Sequence, residues 1–235
     1  MDPTQLLNRF LGADAATGAK SAAEAAKQRI GGLGGGTALA GGLAAGGVVG
    51  LLLGSKKARR KVGKVAGYGG AAALGALALK AYQNWQNGAA PDTAPTATAV
   101  DTQDVDTRFL PAAAPASSGE RFELSLIRAM IGAAKADGVV DSEEQGRVFE
   151  QVERLGLDAE GKAFVFDALS KPPDLAQIAA AASTQEQAAE IYLVSRLAID
   201  IDHPAEKAYL EALAHRLNLP AELIAHLDRQ AEAGS

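Results

Sequence analysis

Apolar residues recur at intervals of three and four through the second half of the chain, a period that predicts helices almost throughout. From Glu120 onward, Phe122, Leu124, Ile127, Ile131 and Ala134 form one stripe, and Val148, Val152 and Leu155 form another. Phe164, Val165, Ala168 and Leu169 follow, then Leu175 and Ile178. A long helix over 184–199 would bury Ala188, Ile191, Leu193, Val194 and Leu197. Tyr209, Leu210, Leu213 and Leu217 come next, and Leu223, Ile224 and Leu227 close the pattern. No alternating strand pattern competes, so residues 120–235 read as an all-α domain large enough for a core of its own. Residues 1–30 hold a short amphipathic segment, with Leu6, Leu7, Phe10 and Leu11 on one helical face.

The first third follows another rule. Gly42, Gly46, Gly50 and Gly54 stand four apart, and Gly63, Gly67, Ala71 and Gly75 repeat the spacing. Glycine costs about 1 kcal/mol relative to alanine inside a helix in water. In lipid the same ladder makes a groove where two backbones approach closely. Residues 31–85 therefore read as a glycine-ladder membrane hairpin, with self-association through the ladders. Gly31 to Gly54 carries no charge for 24 residues, about 36 Å of helix against a hydrocarbon core of about 30 Å. The second segment, Val62 to Trp85, is weaker: its uncharged stretch runs only from Val65 to Leu79. Lys64 and Lys80 would snorkel from its ends, and Tyr82 and Trp85 would form an interfacial belt. A glycine-rich spacer is the alternative. Residues 86–119, with four prolines among Ala, Thr, Ser and Asp, read as a disordered linker.

Charge divides along the same line. Residues 120–235 hold 11 basic and 21 acidic residues, and residues 1–119 hold 12 and 7. The acidic half repels phosphate backbones, which argues against nucleic acid. Lys56, Lys57, Arg59, Arg60, Lys61 and Lys64 suit anionic lipid headgroups. If both segments span, the positive-inside rule puts this basic loop in the cytoplasm and the acidic domain in the periplasm. A hairpin that enters without crossing is the alternative.

The acidic domain repeats itself. Ala133 to Glu144 is answered by Arg196 to Glu206: an apolar helix reaches Asp137 or Asp200, and Glu143 or Glu206 follows six residues later. Two such units would bring Asp137, Asp141 and Glu144 near Asp200, Asp202 and Glu206. Clustered carboxylates suit a hard divalent cation. Helix capping explains the same residues: Ser142 with Gln145 is a capping box, and Asp202 or His203 before Pro204 is an ordinary helix start.

The run Ala134-x-Ala136-Asp137-Gly138 with Glu143-Glu144, answered by Asp200-x-Asp202-His203-Pro204-Ala205-Glu206, resembles the TerB-like (tellurite-resistance) domain. With the glycine-rich hairpin in front, the chain resembles the YebE-like inner-membrane proteins of bacteria, whose function is unknown. The resemblance implies an all-helical fold and a divalent-metal site (calcium, magnesium or manganese) at Asp137, Glu143, Glu144, Asp200, Asp202 and Glu206, to which the repeat adds Asp141.

Other chemistry is poorly represented. Cysteine is absent, so thiolate metal sites and cysteine nucleophiles are excluded. His203, His215 and His226 fall in no zinc-binding pattern, and the last two read as ordinary, partly exposed helix residues. No P-loop or nucleophile elbow occurs. The expectation is a non-enzymatic adaptor or sensor of the bacterial inner membrane, contacting lipid and binding a cation or a protein partner. The alternative is a metal-dependent enzyme built on the carboxylate cluster.

Overall fold

The computed structural model describes residues 2–11, 70–103, 105–113, 115–117, 119–136, 157–199, 201 and 203–233. Eight α-helices occur among them: α1 (Pro3–Leu11), α2 (Ala71–Gln86), α3 (Phe122–Ala134), α4 (Ala159–Ser170), α5 (Leu175–Ala180), α6 (Gln185–Leu197), α7 (Pro204–Arg216) and α8 (Ala221–Ala233). The only β pairing among the described residues is an isolated bridge between Pro115 and Arg121. The all-α expectation holds.

Local chemistry marks the helix starts. The Thr184 hydroxyl accepts the Gln187 amide at 3.2 Å and opens α6. Asp174 caps α5 through the Ala176 and Gln177 amides, and Asp158 caps α4 through Gly161. Each supplies an acceptor to a backbone donor that the helix itself leaves unmatched. Asn218, just past α7, takes a left-handed φ of 52°, a conformation asparagine tolerates better than most residues at a helix end.

α6 lies at the centre. From Gln187 to Leu197 every residue of it is buried, as befits a helix covered on all sides. It packs on α2, α3, α7 and α8. α1 lies on α3 with Leu6, Leu7, Phe10 and Leu11 buried, the four residues its amphipathic pattern selects.

The second glycine-rich segment is where structure and expectation part. Its C-terminal half, Ala71–Gln86, is α2, which packs against α6 and most extensively against α8. Its aromatic residues form no interfacial belt. Tyr82 stacks edge-on with Phe109 and Trp85 at centroid distances of 5.5 and 5.4 Å. The Tyr82 hydroxyl donates to Gln185 Oε1 at 3.2 Å. Lys80 lies 3.9 Å from Asp101. No helix among the described residues is long and apolar enough to cross a membrane. The first ladder, Gly42 to Gly54, lies outside the described residues.

Of residues 86–119, expected from their composition to be a disordered linker, Gln86 ends α2 and the other described residues run along the bundle. Phe109 is fully buried. The Pro95 carbonyl accepts from Asn84 Nδ2 and Gln230 Nε2, at 2.9 and 3.1 Å, and the Ala97 amide donates to Gln230 Oε1 at 2.8 Å. Side-chain amides on α2 and α8 thus satisfy the backbone at Pro95 and Ala97, which lies outside any helix. One hydrophobic core extends from Leu6 to Ala231, so α1 and α2 share it with the helices beyond residue 120.

Candidate functional site

The two acidic segments of the repeat come directly after α3 and α6 in the sequence, and these helices pack on each other. Their starts are tied together around one stretch of chain. Gln187 Nε2 donates to the Pro115 carbonyl at 3.2 Å, and the Ser117 amide donates to the Ala181 carbonyl at 3.1 Å. Near the end of α3, Gly132 lies against α7, the helix after the second turn: a Cβ there would stand 2.8 Å from the Tyr209 hydroxyl. Lys135, two residues before Asp137, donates to the carbonyls of Leu169 and Lys171 at the end of α4, at 2.5 and 2.6 Å. Burial lowers its pKa.

Of the carboxylates expected to gather there, Asp137, Asp141, Glu143, Glu144, Asp200 and Asp202 lie outside the described residues. Glu206 is described, and it caps a helix. Its Oε2 accepts the His203 amide at 3.2 Å while His203 Nδ1 accepts the Ala205 amide at 3.2 Å, with Pro204 at the first helical position. This reciprocal arrangement is a capping box. Among the described residues no group of three or more His, Asp or Glu side chains is arranged to hold a metal ion.

The described polar groups gather instead inside the bundle. Arg196 on α6 is buried, and its Nε donates to Asp228 Oδ1 on α8 at 3.1 Å. The Tyr192 hydroxyl donates to the same oxygen at 3.1 Å, and Arg196 reaches Glu232 at 3.4 Å. Burial raises the Asp228 pKa, against the opposing pull of the Arg196 charge and the Tyr192 hydrogen bond. His226 is 1% exposed, contrary to the partly exposed residue expected; His215 is exposed. The Nε2 of His226 lies 3.1 Å from the Ala89 carbonyl.

Two buried carboxylates are less completely matched. Glu123 on α3 accepts from Thr4 of α1 at 2.8 Å and from Arg121 at 3.1 Å through one oxygen, and its other oxygen has no partner. Glu190, 1% exposed near the middle of α6, has no partner for Oε1. Burial and then the nearby Glu186 push its pKa well above the usual glutamate range. A signal for Glu190 exists in the sequence. It stands four residues before Val194 and seven before Leu197, on the apolar stripe of that helix. His226 carries a similar signal, three residues after Leu223 on the buried face of α8, whereas Asp228 lies off that face and carries none.

A cleft of about 150 Å³ opens between α1 and the start of α4, lined by Asp2, Gln5, Arg9 and Asp158 among others. Asp158 is committed to its cap there, and the cleft holds no nucleophile–base pair.

A protein of Yersinia enterocolitica, described as an uncharacterized protein in the ampR 5′ region, is 32% identical over 98 residues. The match covers 42% of this chain and 70% of the relative. No solved structure matches. The sequence pattern of one family extends over residues 38–231, most of the chain and nearly all of the bundle beyond α1: the protein belongs to DUF533, a family of unknown function.

Proposed function

We propose that this protein is a non-enzymatic, membrane-attached helical adaptor of the bacterial inner membrane with a TerB-like bundle, related in plan to the YebE-like proteins. The observation that carries this reading is where the apolar, glycine-rich stretch sits in the chain. Residues 12–69 leave α1 and return to α2, two helices of one bundle. They contain the uncharged run 31–54 followed by six basic residues between 56 and 64. The bundle thus holds, by both ends, a stretch whose composition suits apolar lipid followed by anionic headgroups. The first ladder, Gly42 to Gly54, supplies self-association between copies.

The acidic turns are the recognition element. Asp137, Asp141, Glu143, Glu144, Asp200, Asp202 and Glu206 bind a divalent cation (calcium, magnesium or manganese) or a basic segment of a protein partner. The pairing of α3 with α6, and of the end of α3 with α7, supports a shared locus. The described polar side chains support an adaptor, since Arg196, Asp228, Gln187 and Gln230 are engaged in bracing helices.

Two measurements on the full chain test this. It should sediment with membranes and resist alkaline carbonate; full-length protein that is monodisperse without detergent would refute attachment. Titration with calcium, magnesium or manganese in detergent should shift NMR signals of the turn residues. Metal-dependent turnover that disappears in Asp137→Asn would replace the adaptor with an enzyme.

A further inference from the structure

The two ends of the stretch 12–70 are joined by a hydrogen bond. The backbone amide of Ala71, the first residue of α2, donates to Asn8 Oδ1 on α1 at 3.0 Å. Gly70, at the N-cap of α2, has no side chain to offer an acceptor, so Asn8 of α1 provides it. Ala71 and the preceding Gly70 are buried, and Leu7 and Leu11 beside Asn8 are fully covered. The chain therefore resumes at α2 directly beside α1.

This leaves little chain for a second crossing. α2 begins at Ala71, and the last basic residue before it is Lys64. The six residues from Val65 to Gly70 reach at most about 20 Å when fully extended, and about 9 Å as helix. The hydrocarbon core is about 30 Å thick. If Lys56 to Lys64 lay on the far side of the membrane, some of those charges would have to sit in hydrocarbon to let Ala71 reach Asn8. Charges there are strongly disfavoured.

We infer that the uncharged run 31–54 enters and leaves the bilayer through one face, so that α1, the basic residues 56–64 and the helical bundle all stand on the same side. The inference rests on the membrane reading above and deepens it. It replaces two spanning helices with an insertion whose basic end returns to the headgroups next to the bundle.

The chain has no cysteine, so a single introduced thiol reports alone. Ser55→Cys marks the start of the basic run, and Ala176→Cys marks an exposed position on α5 of the bundle. Each full-length variant is treated with a membrane-impermeant maleimide in right-side-out and in inside-out vesicles of a bacterial inner membrane. Both thiols should label in the same vesicle type and be protected in the other. Labelling of Ser55→Cys and Ala176→Cys from opposite faces would overturn the inference while leaving membrane attachment intact. Recovery of both variants in the soluble fraction would overturn attachment and the inference with it.

Discussion

The carbonyl oxygen of Phe109 occupies the space that a side chain on Gly75 would need. A Cβ built on Gly75 meets that oxygen well inside any permitted contact, and Val105 Cγ1 lies 3.1 Å away. The last member of the second glycine ladder thus admits a backbone of its own protein. Gly75→Ala should destabilise the bundle, because the obstacle is main chain held in place by a buried Phe109. Overpacking costs about 1–3 kcal/mol, against which the better helix propensity of alanine returns about 1 kcal/mol. Thermal unfolding measures the difference, and a stabilised Gly75→Ala variant would contradict the close approach.

Arg196 depends on α8 for its counter-charge. Removing Asp228 leaves a buried guanidinium with only Glu232 and the Ile199 carbonyl. Breaking a buried pair costs about 3–5 kcal/mol. The Asp228 side chain keeps 35% of its surface in solvent, so Asp228→Ala should cost less, about 1–3 kcal/mol. Replacing both, as Arg196→Met with Asp228→Leu, should recover part of that loss in chemical denaturation. Strict additivity of the two changes would mean that the pair does not couple.

Glu190 makes stability depend on pH in a defined direction. Its carboxyl is held protonated well above the usual range in the folded chain, whereas in the unfolded chain it titrates near 4.3. Above that pH the unfolded chain releases a proton that the bundle keeps. Stability therefore falls as pH rises, until the folded carboxyl ionises too. Glu190→Gln should remove that slope, raising the denaturation midpoint at pH 7 to 8 more than at pH 4. Equal midpoint shifts at both pH values would show that Glu190 is not held protonated.

Deletions separate the anchor from the fold. Removing residues 31–64 should release the protein from membranes with the helical bundle intact. Removing 31–85 also removes α2, and with it the packing partner of α6 and α8. That variant should lose cooperative unfolding by circular dichroism. For the same reason a 120–235 fragment, without α1 and α2, should be far less stable than the full chain. A fragment with an unchanged melting temperature would show that the core divides at residue 120.

The one-sided insertion proposed above, taken with the positive-inside rule, predicts that the basic run and the bundle both lie in the cytoplasm. Anionic lipid on the cytoplasmic leaflet reinforces that choice. The periplasmic expectation belongs to the alternative in which both segments span. Green fluorescent protein fused after Ser235 should fluoresce, and alkaline phosphatase there should stay inactive. The opposite pair of results would put the bundle in the periplasm.

Much of the fold was already written in periodicity. Leu6, Leu7, Phe10 and Leu11, the inward residues of α6, and Tyr209, Leu210 and Leu213 of α7 are buried as their spacing demands, because a 3.6-residue period decides which face of a helix is apolar. The helix start at His203 and Pro204 was legible too, since its chemistry is local, although the part of Glu206 in a capping box there was not expected. What the apolar face meets is a different matter. Alanine and glycine four residues apart suit a lipid-embedded helix and equally suit close packing in a bundle, and for Ala71 and Gly75 only the contacts of α2 with α6, α8 and the Phe109 backbone show the second. The course of residues 87–119 has no period at all; side chains over a hundred positions away, such as Gln230, hold it. The candidate cation site was legible only as acidic residues in two matching turns. Whether carboxylates gather at one locus depends on how the helices carrying them pack, and spacing along a chain does not contain that distance.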